Sequence, residues 1–187
     1  MKKKLLTFLF CALLPGYLLA DQTQEMTQEA RGLVKAFMGE LKGELQAAMK
    51  EGGPVNAIGV CNIKAPEIAA QKSEESGWQL ARTSLKNRNP ENAADPHESN
   101  VLQMFDARKA AGEDVTAMEM TWTMQKDGKR YFRYMKAIPT GEICLKCHGH
   151  ALDEAVAEKL DSLYPDDKAR GYEKGDIRGA FTFQKPL

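Results

Sequence analysis

Met118-Glu119-Met120-Thr121-Trp122-Thr123-Met124-Gln125 alternates apolar and polar side chains without a break. Successive side chains of an extended chain point to opposite sides, so this spacing predicts a strand that buries one face and wets the other. Asp127-Gly128 follows, a pair suited to a two-residue hairpin turn, whose central positions both take positive φ. Tyr131 to Ile138 then reads as the return strand. Outward from this hairpin, Trp78 to Ser84 reads as another strand, and Ile177, Gly179, Phe181 and Phe183 share one face of a last one.

Elsewhere the apolar period changes from two to three and four. Met26, Leu33, Val34, Phe37, Leu41, Leu45 and Met49 predict one long amphipathic helix, ended by Gly52-Gly53-Pro54. A second helical stretch carries Val55, Ile58, Val60 and Cys61. A third begins near Pro66, whose missing N–H costs little in a first turn, and stops at Gly77. His97 to Ala111 and a short segment bearing Leu152, Val156, Leu160 and Leu163 complete the helices, and residues 85–96, rich in Pro and Asn, read as an ordered loop. No repeat or long linker interrupts the pattern, so the expected fold class is α+β: one domain over residues 21–187, an antiparallel sheet packed with helices behind a long N-terminal helix.

The chain has 187 residues, with 26 Lys and Arg against 26 Asp and Glu. That balance hides a leader. Lys2, Lys3 and Lys4, the apolar run Leu5 to Leu14, the Pro15-Gly16 break and Leu18-Leu19-Ala20 read as a secretory signal peptide over residues 1–20, cut after Ala20. The run is short for the roughly 20 helical residues that cross a bilayer. Cys11 lies inside it behind Leu9-Phe10, not behind the small residues a lipoprotein cut needs. Without its three lysines the chain is mildly acidic and has no electrostatic footprint for nucleic acid. The mature domain is expected in the periplasm or otherwise secreted, with neither nucleic acid nor membrane as a partner.

Chemistry concentrates at Cys144-Leu145-Lys146-Cys147-His148. Two thiols three residues apart can reach the two vinyl groups of one haem, and the following His is placed to coordinate the iron from one side. This is the attachment pattern of c-type haem. A zinc site would want further Cys or His, and beyond His148 only His150 remains. A redox dithiol needs no adjacent His, and the thioredoxin-like kind expects a parallel βαβ setting, unlike the hairpin that precedes this motif.

The opposite side of the iron must be served from upstream, because nothing after His150 is Met, His or Cys. Candidates are Cys61, His97 and eight methionines from Met26 to Met135. With Cys11 in the leader and two thiols committed to haem, Cys61 is left unpaired in an oxidising compartment. It could be an inert buried thiol, an intermolecular disulfide former or an iron ligand. The methionines have a plainer role as core filling, and His97, after Asp95-Pro96 at a helix start, as a solvated or capping residue. Arg82, Lys86 and Arg88 form a basic cluster suited to the haem propionates. Trp78 and Trp122 could flank the ring, with core packing the simpler expectation.

These residues resemble a family of PAS-like c-type haem domains, once known only as a domain of unknown function, which occur alone or as the extracytoplasmic part of signalling proteins. The likeness runs through Ala57-Ile58-Gly59-Val60-Cys61, Ala65-Pro66-Glu67-Ile68-Ala69, Gly77-Trp78, Arg82 to Pro90, Cys144 to Gly149, Gly171-Tyr172 and Gly175 to Ala180. It implies a PAS-like sheet and a single haem held by His148 and by the thiolate of Cys61. Many relatives continue into a transmembrane helix and a kinase or chemoreceptor module, whereas this sequence stops at Leu187, which weighs against a sensory role.

Thiolate donates charge to iron and favours the ferric state, so a His/Cys pair predicts a lower potential than His/Met. A neutral thiol holds ferrous iron poorly, so protonation of Cys61 on reduction would free a coordination site. The expected function is that of a periplasmic mono-haem cytochrome in electron transfer or redox sensing, with a partner protein the sequence does not identify. The alternative is a sensor module in which nitric oxide or carbon monoxide displaces Cys61. A peroxidase-like enzyme is the weakest expectation, since it needs a distal acid/base for which His97 is the only unassigned imidazole apart from His150.

Overall fold

A computed structural model describes residues 15–187, with side chains from Asp21 onward. The expected leader over residues 1–20, with Cys11 and the cut after Ala20, lies outside the fully described part. Strands β1 (Gln79–Thr83), β2 (Glu119–Lys126), β3 (Lys129–Pro139) and β4 (Ile177–Pro186) form one antiparallel sheet in the order β1-β4-β3-β2. The β2–β3 turn is the one the sequence predicts: Asp127 and Gly128 both take positive φ, 51° and 74°, and Lys126 pairs with Lys129 across it.

Helix α1 (Pro15–Gly59) is broken at Gly52 and Gly53, the latter at φ 67°, a left-handed conformation glycine adopts without steric cost. The second helical stretch thus follows the break. It passes through a π-helical turn (Val60–Lys64) into α2 (Ala65–Ser76), which Gly77 ends at φ 72°. Helix α3 (Pro96–Ala110) starts on a reciprocal cap between Asp95 and Glu98. Helices α4 (Leu145–His148) and α5 (Glu154–Leu163) lie between β3 and β4. Among the described residues no helix is long and apolar enough to cross a membrane.

Alternation along β3 and β4 divides the core. On one side of the sheet, Met26, Ala30, Phe37 and Ile68 pack on Trp78, Leu80, Phe132, Tyr134, Phe181 and Phe183. On the other, Val101, Leu102 and Phe105 of α3 meet Met118, Met135, Ala137 and Ala180. A third cluster joins Ile58 to Val156, Leu160 and Tyr164.

Two strand expectations need correction. Strand β2 is an edge, so Met120, Trp122 and Met124 are only half-buried, and the fully buried Met118 precedes the strand. Nor does Ile177 share the face of Phe181 and Phe183. The β3–β4 register slips at Arg178, with Ile138 opposite Gly179 but Pro139 opposite Ile177. An extra residue in one strand reverses facing, so Ile177 joins the α3 side.

Tyr134, fully buried, donates its hydroxyl to Glu119 at 2.9 Å, and Arg31 of α1 pairs with the same carboxylate. Burial, then the neighbouring Glu119, pushes the phenol far above its ordinary range. A raised folded pKa adds stability that is complete below the unfolded value near 10 and is lost as pH rises past it. Urea unfolding should therefore show a loss on the order of 1 kcal/mol between pH 8 and about 10.5. Tyr134→Phe should remove that slope, and an unchanged slope would count against it.

Candidate functional site

Cys144 ends a 3-10 turn (Glu142–Cys144) that runs into α4. Residues three apart on a helical turn share a side, which brings the two thiols of the motif together. Gly141 donates its N–H to the Cys144 sulfur at 3.4 Å.

His148 is fixed by its outer nitrogen. Nδ1 lies 2.7 Å from the Ala169 carbonyl oxygen. A carbonyl can only accept, so Nδ1 carries the proton and Nε2 keeps a lone pair. Burial, with Arg178 and Arg88 nearby, holds His148 well below its usual pKa, so the ring is neutral, the form that binds metal.

The turn is stitched to the segment before β4. Arg88 donates from Nη2 to Cys147 O at 2.6 Å and Ala169 O at 3.3 Å, and from Nε to Asp167 at 3.0 Å in a buried ion pair. Burial alone would raise the Asp167 carboxyl, but hydrogen bonds from Arg88, the Ala169 amide and Arg170 hold it below its ordinary value. Tyr172 N–H reaches His148 O and Gly171 N–H reaches Gly149 O.

Two adjoining recesses share Cys61, Arg88, His148, Tyr164 and Arg178 in their walls. One is completed by polar groups, among them Arg82, Thr83, Ser84 and Asn87. The other is apolar, with Leu45, Met49, Ile58 and Leu160 beside Cys144 and Cys147. Cys61 comes from the π-helical turn, a distortion that recurs at functional sites. Burial pushes its thiol up, against Arg82, Arg88 and Arg178, which pull it down. His148, Cys61, Cys144 and Cys147, with the thioether of Met49, are thus the donors available to a cofactor. Among the described residues no three His, Cys, Asp or Glu side chains gather as a conventional metal site.

The Tll0287-like family profile matches residues 18–186, nearly the whole chain. The chain belongs to the Tll0287-like family. Its fold is similar to the crystal structure of the cyanobacterial haem protein Tll0287, with a TM-score of 0.67 and 21% identity over 87% of this chain and 96% of that one. No functionally curated protein matches the chain.

Within this Tll0287-like fold the candidates named from sequence part company. Arg82 and Arg88 line the polar recess. Lys86 lies outside it, donating to Arg170 O at 2.7 Å with its ammonium over the Tyr172 ring. Of the eight methionines, Met49 alone lines either recess. His97 and His150 are exposed and line neither, while Trp78 and Trp122 belong to the two sheet clusters.

Sequence reasoning passed over Arg178, Tyr164 and Thr83 as site residues. Arg178 lies 3.4 Å from His148 Nε2 through its Nε and donates to Ser84 Oγ and Lys86 O. Its one signal was its place in the Gly175 to Ala180 stretch of the Tll0287-like pattern.

Proposed function

We propose that this chain binds one haem, attached through Cys144 and Cys147 and ligated by His148 and Cys61, and works in the periplasm in electron transfer or redox sensing. The observation that carries this is the meeting of Cys61, from an early helical turn, with His148 in walls common to both recesses. The residues fit the group. The apolar recess, which holds the two attachment thiols, suits the macrocycle, while the polar one offers guanidinium groups and the buried, unpartnered Thr83 hydroxyl to its carboxylates. Haem when bound supplies one-electron chemistry.

The chain's own residues set the terms of that chemistry. Ala169 O orients the His148 ring and leaves Nε2 as the donor. Arg82, Arg88 and Arg178 offset the cost of keeping Cys61 as a thiolate in a buried place. The leader and the site of covalent haem attachment agree on an extracytoplasmic compartment.

Optical and EPR spectra of oxidised and reduced protein test the ligand set. Denatured protein should retain haem, and Cys144→Ser with Cys147→Ser should release it. Cys61→Ala should lose the ferric thiolate signature and raise the potential, since charge donation to iron is removed. An unchanged ferric spectrum in Cys61→Ala would sink Cys61 as ligand. Met49 supports a second reading, since it lines the thiol-bearing recess; in that case Met49→Leu, not Cys61→Ala, alters the spectrum.

A further inference from the structure

We infer that Arg82 and Arg178 form a paired carboxylate site that takes the two propionates of the cofactor, and that Arg88, in the same wall, does not. This rests on the haem reading above and adds which residues meet its acidic edge.

Three guanidiniums line the polar recess, and no Asp or Glu lines either recess. Arg88 is already neutralised. Its Nε faces Asp167, and its Nη2 is shared by two carbonyls. Arg178 meets only neutral groups: the Ser84 hydroxyl, the Lys86 carbonyl, and the His148 and Tyr172 rings. Arg82, on β1 opposite Phe181, has its guanidinium carbon 5.8 Å from the Phe37 ring centroid and no hydrogen-bond acceptor among the described residues.

Apart from the Cys61 thiolate, whose charge iron would take up, two guanidiniums facing one space therefore lack counter-charge. Both residues are half-buried, and a group seated in the recess would bury them further, which is costly for unpaired charge unless that group brings an anion. A planar guanidinium suits a carboxylate through two parallel hydrogen bonds. The unpartnered hydroxyl of Thr83, itself buried, adds a donor in the same wall. The count matches haem, which carries two carboxylates. The placement matches too: the thiols lie in the apolar recess, Arg82 lies in the polar one and Arg178 lines both, and haem carries its propionates on the edge away from the vinyl positions.

The test uses holoprotein carrying Arg82→Gln, Arg178→Gln, both together, or the charge-conserving Arg82→Lys and Arg178→Lys. Resonance Raman reads the propionate bending modes, and a redox titration at pH 7 reads the potential. Each Gln variant should shift the bending modes and lower the potential, because losing a cation near the iron favours the ferric charge. The double variant should move both further. The Lys variants should shift the modes, since the planar fork is lost, yet hold the potential, since the charge is kept; they also decide the matter if a Gln variant fails to fold. Haem present with unmoved bending modes in the double Gln or the Lys variants overturns this inference and leaves the haem reading standing. Wild-type protein without covalent haem overturns both.

Discussion

Gly179→Ala is expected to destabilise the protein by about 2–6 kcal/mol, summing backbone strain and overpacking of about 1–3 kcal/mol each. A Cβ built on Gly179 would lie 2.3 Å from the Thr83 carbonyl oxygen and 3.1 Å from the Ser84 Cβ. The first neighbour is backbone, so no side-chain rotation relieves it. The residue also sits at φ 156°, where side chains are rarely tolerated. Relief would part β1 from β4 at the register slip, and Thr83, Ser84 and Arg178 form the recess wall there. Gly32→Ala is the control. It lies exposed within α1 with nothing near its Cβ position, so it should be neutral or stabilising by up to about 1 kcal/mol. Equal effects of the two substitutions in urea unfolding would refute the close-approach explanation.

Arg88→Met should cost about 3 kcal/mol, at the low end of what removing one partner of a buried ion pair does. The low end applies because Arg170 still reaches the second Asp167 oxygen at 2.9 Å. Beyond charge, a thioether side chain at this position would leave the Cys147 carbonyl without its 2.6 Å donor, loosening the turn that presents His148. Acid adds a signature. A depressed folded pKa gives stability that is present above the unfolded carboxylate value near 4 and lost as pH falls through the folded one. Wild type should thus show an acid-side loss that Arg88→Met largely lacks, and equal acid slopes in the two proteins would remove the ion pair from the account.

Where local chemistry decides structure, the sequence was legible. Asp127-Gly128 dictates its turn because both residues must take positive φ, and Gly77 closes α2 for the same reason. The Cys144 to His148 motif is local too, and Cys61 stood out by cysteine arithmetic. Strand order was not legible: nothing within Met118 to Gln125 tells that β2 lies at an edge, because the order depends on how β1 and β3 flank β4. The reversal of Ile177 depends on the close approach of Gly179 to β1, a contact between distant segments. Arg88 stood out in the sequence only as part of a basic cluster and Arg178 did not stand out at all, so nothing there told which of the two guanidiniums is already paired. What separates them is Asp167, which reaches one and not the other, and no spacing rule marks a residue by the acid it lacks.

The π-helical turn acts as a phase shifter. At Val60–Lys64 the Ala65 N–H reaches back to the Val60 carbonyl, five residues away instead of four, so the helix takes in one residue more than a regular ladder would. One residue of an α-helix is about 100° of rotation. Ile58, before the turn, faces α5, and Ile68, after it, faces the sheet. The two partners of this continuous rod are thereby set at independent azimuths, and the spacing between them is quantised: shortening the turn by one residue would regularise the ladder only by swinging Ile58 or Ile68 off its partner.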